Sequence, residues 1–223
     1  YFYNRVAHTT REYFIDIYPV KGLIISGPGP TKEDFINGNY LEYRLQNNII
    51  NTIDSGYAGA EGIREAFAKS GDILGNFRLV EEKKMIENLF REINTNTGKG
   101  SYGLQEVIEY LKNNVVKILM ITDNTNLHRV EAKCKRCQHI QEEIVERPLV
   151  IPKKTEYKSK PCPECNAMDT EVNEQDIVDY LEIIAAKTGS QLEVISGSAE
   201  HGNMLASLGK VAAILRYNPG HSK

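Results

Sequence analysis

All four cysteines of the chain fall in two pairs, Cys134-Lys-Arg-Cys137 and Cys162-Pro-Glu-Cys165, with 24 residues between the pairs. Two residues between cysteines let a tight knuckle turn aim both sulfurs at one point, so two knuckles offer four thiolates to one tetrahedral ion. Any fold open to this chain has to bring the two turns together. Gln138 and Asn166 follow the second cysteine of each pair, where glycine would be easier. Asparagine tolerates a left-handed backbone well and glutamine less so. Pro163 suits a knuckle turn. A closed site of four thiolates leaves no position for water, so the expected role is structural rather than catalytic, with zinc the expected ion and iron its competitor. The nearby Lys and Arg side chains partly offset the excess negative charge of such a site. Paired disulfides are the first rival and are disfavoured in a reducing cytosol. A redox CxxC is the second, and it usually needs only one pair.

Composition sets wider bounds. The chain has 223 residues, 41% hydrophobic and 26% charged, enough for two soluble domains of modest size. No apolar run reaches the roughly 18 residues of a membrane span, and no signal-peptide pattern is present, so a cytoplasmic protein is expected. The first residue is Tyr1, and the chain is read as a fragment whose true N-terminus lies upstream. A formal net charge of −3 gives no support to binding naked nucleic acid. Residues 129–160 hold nine basic against five acidic residues, and residues 164–182 seven acidic and no basic ones. The basic stretch would suit RNA, but on charge alone a solvated loop is the expected reading.

Periodicity gives the class. A helix is expected over residues 2–14, a strand over 22–26, and a helix starting at the capping-box pattern Thr31-Lys-Glu-Asp34. Leu41, Leu45, Ile49 and Ile53 repeat at four and predict a helix ending near Asp54. "SGYAGAEG" is a glycine-punctuated turn, followed by a helix through Leu74. Met85, Ile86, Leu89, Phe90 and Ile93 mark another helix. A loop over 95–103 precedes a helix over about 104–113 and a β-branched strand over 115–122. Asn173 is expected to cap a helix carrying Ile177, Val178, Leu181, Ile184 and Ala185. "QLEVIS" and "KVAAILRY" read as strands. Alternating strands and helices make the class α/β. The domain boundary is expected near 76–80, giving units 1–78 and 79–223, with the cysteine stretch at about 129–170 inserted in the second.

"KGLIISGPGPTKEDF" has the look of a phosphate loop at the end of a strand. Such loops point backbone N–H groups at oxygens, and Pro28 and Pro30 have none. No GxxxxGK[ST] pattern is present, "TGKGS" carries glycine where the hydroxyl residue belongs, and "GPG" does not match GxGxxG. The expected role is a stiff strand-to-helix turn, capped by Thr31.

Five blocks occur together in order: "GLIISGPGPTKEDF", "GYAGAEGIREAF", "EEKKMIENLFREI", "TGKGSYGLQEVIEYL" and "ILRY". Over nearly the whole chain they resemble the middle and C-terminal domains of the archaeal and eukaryotic class I peptide chain release factors, and the paired cysteines favour the archaeal form. The resemblance implies translation termination: release of the nascent peptide on the ribosome at the stop codons UAA, UAG and UGA. The family's Gly-Gly-Gln loop does not occur in this sequence. Residues 2–14 resemble the segment just after it, so the fragment itself is expected neither to read codons nor to act as an enzyme. The second domain resembles the kink-turn RNA-binding ribosomal protein fold, with a zinc-ribbon-like lobe inserted. The resemblance implies docking of a translational GTPase and of an ABC-type recycling ATPase, with contact to ribosomal RNA possible, and neither a small-molecule substrate nor a membrane. The family's GTPase-binding strand corresponds to Ala213, Ile214, Leu215, Arg216 and Tyr217. Ala213 stands where the eukaryotic form tends to have glycine. For Ile214 and Leu215 plain core packing is an equal alternative, and Arg216 and Tyr217 are the better contact candidates.

Two other readings stay open on sequence: a Pelota-type ribosome-rescue factor, which shares both domains, and a zinc-bearing nucleotide hydrolase. The five histidines, His8, His128, His139, His201 and His221, are scattered without ligand or nucleophile spacing; for His139, two residues after Cys137, a place beside the metal ligands is the alternative and the surface the expectation.

Overall fold

The computed structural model of the chain describes residues 1–95 and 97–221. They divide into two compact units, Tyr1–Glu81 and Glu82–Lys223. Helix α5 (Gly71–Asn94) begins in the first and ends in the second.

In the first unit, α1 (Phe2–Arg11) runs into a π-helical turn, Glu12–Ile17. Strand β1 (Leu23–Gly27) follows, then α2 (Thr31–Asn37), the single turn α3 (Tyr43–Gln46), β2 (Ile49–Asp54) and α4 (Gly59–Lys69). β1 and β2 pair in parallel, with an irregularity between Leu23 and Ile24. Phe35, Leu41 and Leu45 form the buried centre, with Val6, Leu23 and Ile25 packed against them.

Three expectations fail here, the first being the helix through Leu74: α4 stops at Lys69, and Leu74 lies on α5. Residues 41–53 are not one helix. Leu41 and Leu45 are buried around α3, whereas Ile49 and Ile53 lie on β2. A spacing of four is a multiple of the strand period as well as close to a helix turn, and the β-branched run "IINTI" decides for the strand. Thr31 opens α2 but does not cap it. Pro30 is the N-cap, no side chain caps the helix, and the Asp34 N–H donates to the Pro30 carbonyl at 3.0 Å. Lys32 does the fastening instead. Its buried ammonium donates to the Gly29 carbonyl at 2.8 Å and pairs with Asp54 at 2.5 Å. The hydrogen bond to Asp54 holds the Lys32 ammonium above its ordinary range. The proline turn is thus tied to the end of β2.

Helix α4 presses its first turn onto the preceding loop. A Cβ at Gly62 would lie 2.2 Å from the Tyr57 carbonyl oxygen, a backbone atom that cannot swing aside. Gly62→Ala is therefore expected to destabilise the first unit by about 2 kcal/mol despite alanine's better helix propensity. Urea unfolding followed by α4 amide exchange checks this; unchanged stability would mean that the loop yields freely.

The second unit is built on a four-stranded sheet in the order β3-β9-β4-β8. Its strands are β3 (Gly100–Tyr102), β4 (Val116–Thr122), β8 (Gln191–Ile195) and β9 (Val211–Leu215). β4 and β8 run parallel, and β9 is antiparallel to β4. Side chains alternate between two cores. Leu119, Ile121, Val211, Ala213 and Leu215 face α6 (Leu104–Lys112) and α8 (Ile177–Thr188). Met120, Ala212 and Ile214 face Ile86 and Leu89 of α5 and Leu205 of α9 (Glu200–Ser207). Each face of the sheet is covered by helices, which explains why β4 and β9 read as continuous apolar runs.

The loop expected over 95–103 contains β3, too short for a periodic signal; Asn96 lies outside the described residues. Between β4 and α8 stands a separate antiparallel sheet in the order β6-β5-β7, made of β5 (Leu127–Cys134), β6 (Ile140–Glu146) and β7 (Thr170–Asp176). Helix α7 (Val150–Ser159) completes it, and Val130, Val145 and Val150 are its small core. Asn173 lies within β7, not at a helix start. Asp176 is the N-cap of α8, its carboxylate accepting the Val178 N–H at 2.8 Å. No helix among the described residues is long and apolar enough to cross a membrane.

Candidate metal centre and the end of the last strand

The two knuckles share one backbone design. The Gln138 N–H donates to the Cys134 carbonyl and the Asn166 N–H to the Cys162 carbonyl, each at 2.9 Å. The Cys134 N–H returns to the His139 carbonyl at 2.9 Å, and the Cys162 N–H to the Ala167 carbonyl at 2.8 Å. Closing these turns puts Gln138 at φ 64° and Asn166 at φ 57°, the left-handed region the spacing implies. A further bond, Lys135 N–H to the Asp169 carbonyl at 3.0 Å, joins the first knuckle to the strand leaving the second. β5 ends on Cys134 and β7 starts at Thr170, paired with it in register, so the sheet itself brings the knuckles together.

The four sulfurs lie within 4.8 Å of one another. The Cys134–Cys165 and Cys137–Cys162 separations are both 3.6 Å, across the knuckles. A zinc ion with Zn–S bonds of about 2.3 Å at a tetrahedral centre requires sulfurs roughly 3.8 Å apart. A disulfide needs about 2.05 Å, and all four cysteines are free. The residues therefore fit a closed thiolate site. The Cys137 N–H, aimed at the Cys134 sulfur and aided by the Arg136 N–H, holds that thiol down at about 7 against the burial that raises it. The His139 N–H lowers Cys137, but burial and the three other sulfurs outweigh it and push that thiol up to about 12. Four thiols this close do not all ionise unless a cation sits among them.

Five of the nine basic residues of the 129–160 stretch pair with carboxylates. Lys153 pairs with Glu143 and Glu156, Lys154 with Glu174, Lys160 with Glu156, and Lys135 with Asp169 at 3.5 Å. Arg129 bonds Glu142 and Glu131 and lies over the Tyr180 ring at 4.7 Å. The stretch is a lobe laced with ion pairs.

The last strand splits the four candidate contact residues. Ile214 and Leu215 are buried, on opposite faces of the sheet. Arg216 is exposed, yet its guanidinium donates to the carbonyls of Val116 at 3.0 Å, Thr188 at 3.1 Å and Gly189 at 2.8 Å. It staples the end of β9 to β4 and to the turn after α8. Tyr217 is the freest of the four, with 48% of its surface open.

One polar knot escaped the sequence reading. The Glu82 carboxylate is buried on α5, accepts the Ser196 N–H at 2.9 Å and lies 2.9 Å from His201 Nε2. His201 is buried too. The visible signal was that Glu82 shares the helix face of Ile86, Leu89 and Ile93.

The comparisons agree with this architecture. Residues 1–76 match the family model eRF1 domain 2, and residues 79–219 match eRF1 domain 3. The chain belongs to the eRF1 family. It is 36% identical over 220 residues to the peptide chain release factor subunit 1 of Methanobrevibacter smithii, covering 98% of this chain and 52% of that protein. Against the same protein from Thermococcus sibiricus the identity is 34%, covering 97% and 52%. The chain thus spans about half the length of the curated relatives it matches. Among solved structures, the C-terminal domain of the release factor from Methanosarcina mazei aligns with a TM-score of 0.62 and 27% identity, over 74% of this chain and 99% of that domain. A model of ribosome-bound archaeal Pelota and ABCE1 contains a chain similar in fold, with a TM-score of 0.58 and 23% identity over 97% of this chain and 48% of that one.

Proposed function

We propose that this chain is the partner-docking part of an archaeal translation termination factor, a protein that directs release of the nascent peptide at stop codons on the ribosome. The observation that carries the reading is the match of both eRF1 domains in order along nearly the whole chain. It acts by holding larger machinery in the cytoplasm rather than by catalysis of its own. In this reading residues 1–78 are the latter part of the middle domain. Residues 79–223 are the C-terminal domain, of the kink-turn RNA-binding ribosomal protein type. Its helix-covered sheet and the left-handed Gly103 turn before α6 support that assignment. Zinc held by Cys134, Cys137, Cys162 and Cys165 stiffens a ribbon-like lobe; the sulfur spacing supports this. The ion's part is structural, since four thiolates close its coordination.

The docking partners proposed are a translational GTPase and an ABC-type recycling ATPase. Tyr217 leads the GTPase contact, Arg216 fixes the strand end that presents it, and Ile214 and Leu215 shape it from beneath. Tyr217→Ala is expected to weaken binding of the GTPase at least tenfold by calorimetry, about 1.4 kcal/mol, without lowering the melting temperature. Unchanged affinity would remove this strand from the interface.

A further inference from the structure

We propose that the sulfur of Cys137 is a site of oxidation by peroxide, and that the bond it then forms runs across the two knuckles, to Cys162, rather than within its own. The inference rests on the metal reading of the site. The four sulfurs differ in access. Cys134 and Cys162 are 2% and 4% exposed, Cys165 is half-buried, and Cys137 is exposed. A small oxidant therefore meets Cys137 first. A thiolate held by a cation has no proton to lose and keeps lone pairs for attack. Oxidation follows thiolate character and exposure together, and with an ion among the four sulfurs Cys137 has both.

The Cys137 thiolate attacks one oxygen of hydrogen peroxide. An S–O bond forms, the O–O bond breaks and hydroxide leaves, so the sulfur becomes a sulfenic acid. The Cys162 thiolate lies 3.6 Å away and attacks that sulfur in turn. The S–S bond forms, the S–O bond breaks and a second hydroxide leaves. Two thiolates have lost one electron each, and one peroxide has been reduced to two hydroxides. A second peroxide joins Cys134 to Cys165 by the same steps, since they too are 3.6 Å apart. Closing either separation to a disulfide takes a shift of roughly 1.5 Å. The first bond takes two of its four ligands from the ion and opens the site. It also keeps the lobe together. Cys137 lies between β5 and β6, and Cys162 lies between α7 and β7. Their bond closes the 24 residues between them into a loop and staples one knuckle to the other. A bond within one knuckle would close a turn that is already closed and leave the two knuckles free to part. Thiol exchange reverses the crossed bond and restores the ligands.

The test adds one equivalent of hydrogen peroxide to the chain purified with zinc, blocks the remaining thiols and maps the links by mass spectrometry, while a zinc-sensitive dye follows the ion. Lys135 and Arg136 separate Cys134 from Cys137, and Glu164 separates Cys162 from Cys165. Trypsin with a glutamate-specific protease thus puts each sulfur on its own peptide. The expected first link is Cys137 to Cys162, with zinc released in step. Amide protection over residues 127–176 should persist in the oxidised chain and vanish when a chelator strips the reduced one. Cys137→His supplies a nitrogen ligand in place of the exposed sulfur, so it should hold its ion and release it to peroxide at least about tenfold more slowly. A first link within either knuckle would overturn the proposal, as would a sulfinic acid at Cys137 without a partner, or an unchanged rate in a metal-bound Cys137→His chain. If that variant loses its ion, the link map of the native chain decides. A native chain that holds no zinc would sink the metal reading alone, and the same map would still show which sulfurs pair.

Discussion

Replacing Cys162 with serine is expected to lower bound metal from one ion per chain to less than about a tenth, and with it to unfold the lobe while the four-stranded sheet survives. The reason is size. The lobe's buried apolar centre is Val130, Val145 and Val150, supported by Tyr157 and Val172. So small a core does not order three strands and a helix alone. Coordination by structural thiolates contributes on the order of 10 kcal/mol of apparent folding free energy, and the loss of one ligand removes most of it. The surrounding ion pairs cannot compensate, because exposed pairs contribute little each. Hydrogen exchange over residues 127–176, together with metal analysis, reads the result. A lobe that stays protected after the metal is gone would show that its hydrogen bonds and ion pairs suffice.

The second large effect is expected at Glu82→Ala. The native carboxylate is 3% exposed and faces the Ser196 N–H and the His201 ring. Truncation strands both in a buried site, and each buried polar group left without a partner costs about 1–3 kcal/mol. The loop has no room to relax, since a Cβ at Gly202 would already lie 2.0 Å from the Ser196 carbonyl oxygen. Glu82→Gln keeps an acceptor and should lose roughly half as much. Denaturant unfolding of the second unit measures both. If Glu82→Ala falls within about 0.5 kcal/mol of the native chain, the knot contributes nothing net.

What could be read in advance follows from what each signal depends on. The cysteine knuckles were legible because ligand spacing is a local demand, and the left-handed turns at Gln138 and Asn166 come with it. β4 and β9 were legible because burial on both faces leaves unbroken β-branched and apolar runs. Residues 41–53 were not, because their spacing of four fits both periods and the choice is made by pairing with β1. Asn173 misled because a capping residue and an edge-strand residue look alike; pairing with β5 extends β7 to Asp176, and that carboxylate takes the cap. Glu82 and His201 lie 119 residues apart, so no local pattern joins them. Arg216 likewise reads as an exposed contact residue, and only the packed strand end reveals that its donors serve the chain's own carbonyls.

The proposed docking role is tested most directly by competition. This sequence has no Gly-Gly-Gln, so an excess of the chain added to an archaeal termination reaction should occupy the partners of the intact factor without releasing peptide. The account predicts that the rate of peptide release falls as the chain is titrated in, and that the Tyr217→Ala chain inhibits at least tenfold less potently. A release rate unmoved by the native chain, at concentrations well above those of the intact factor, would contradict it.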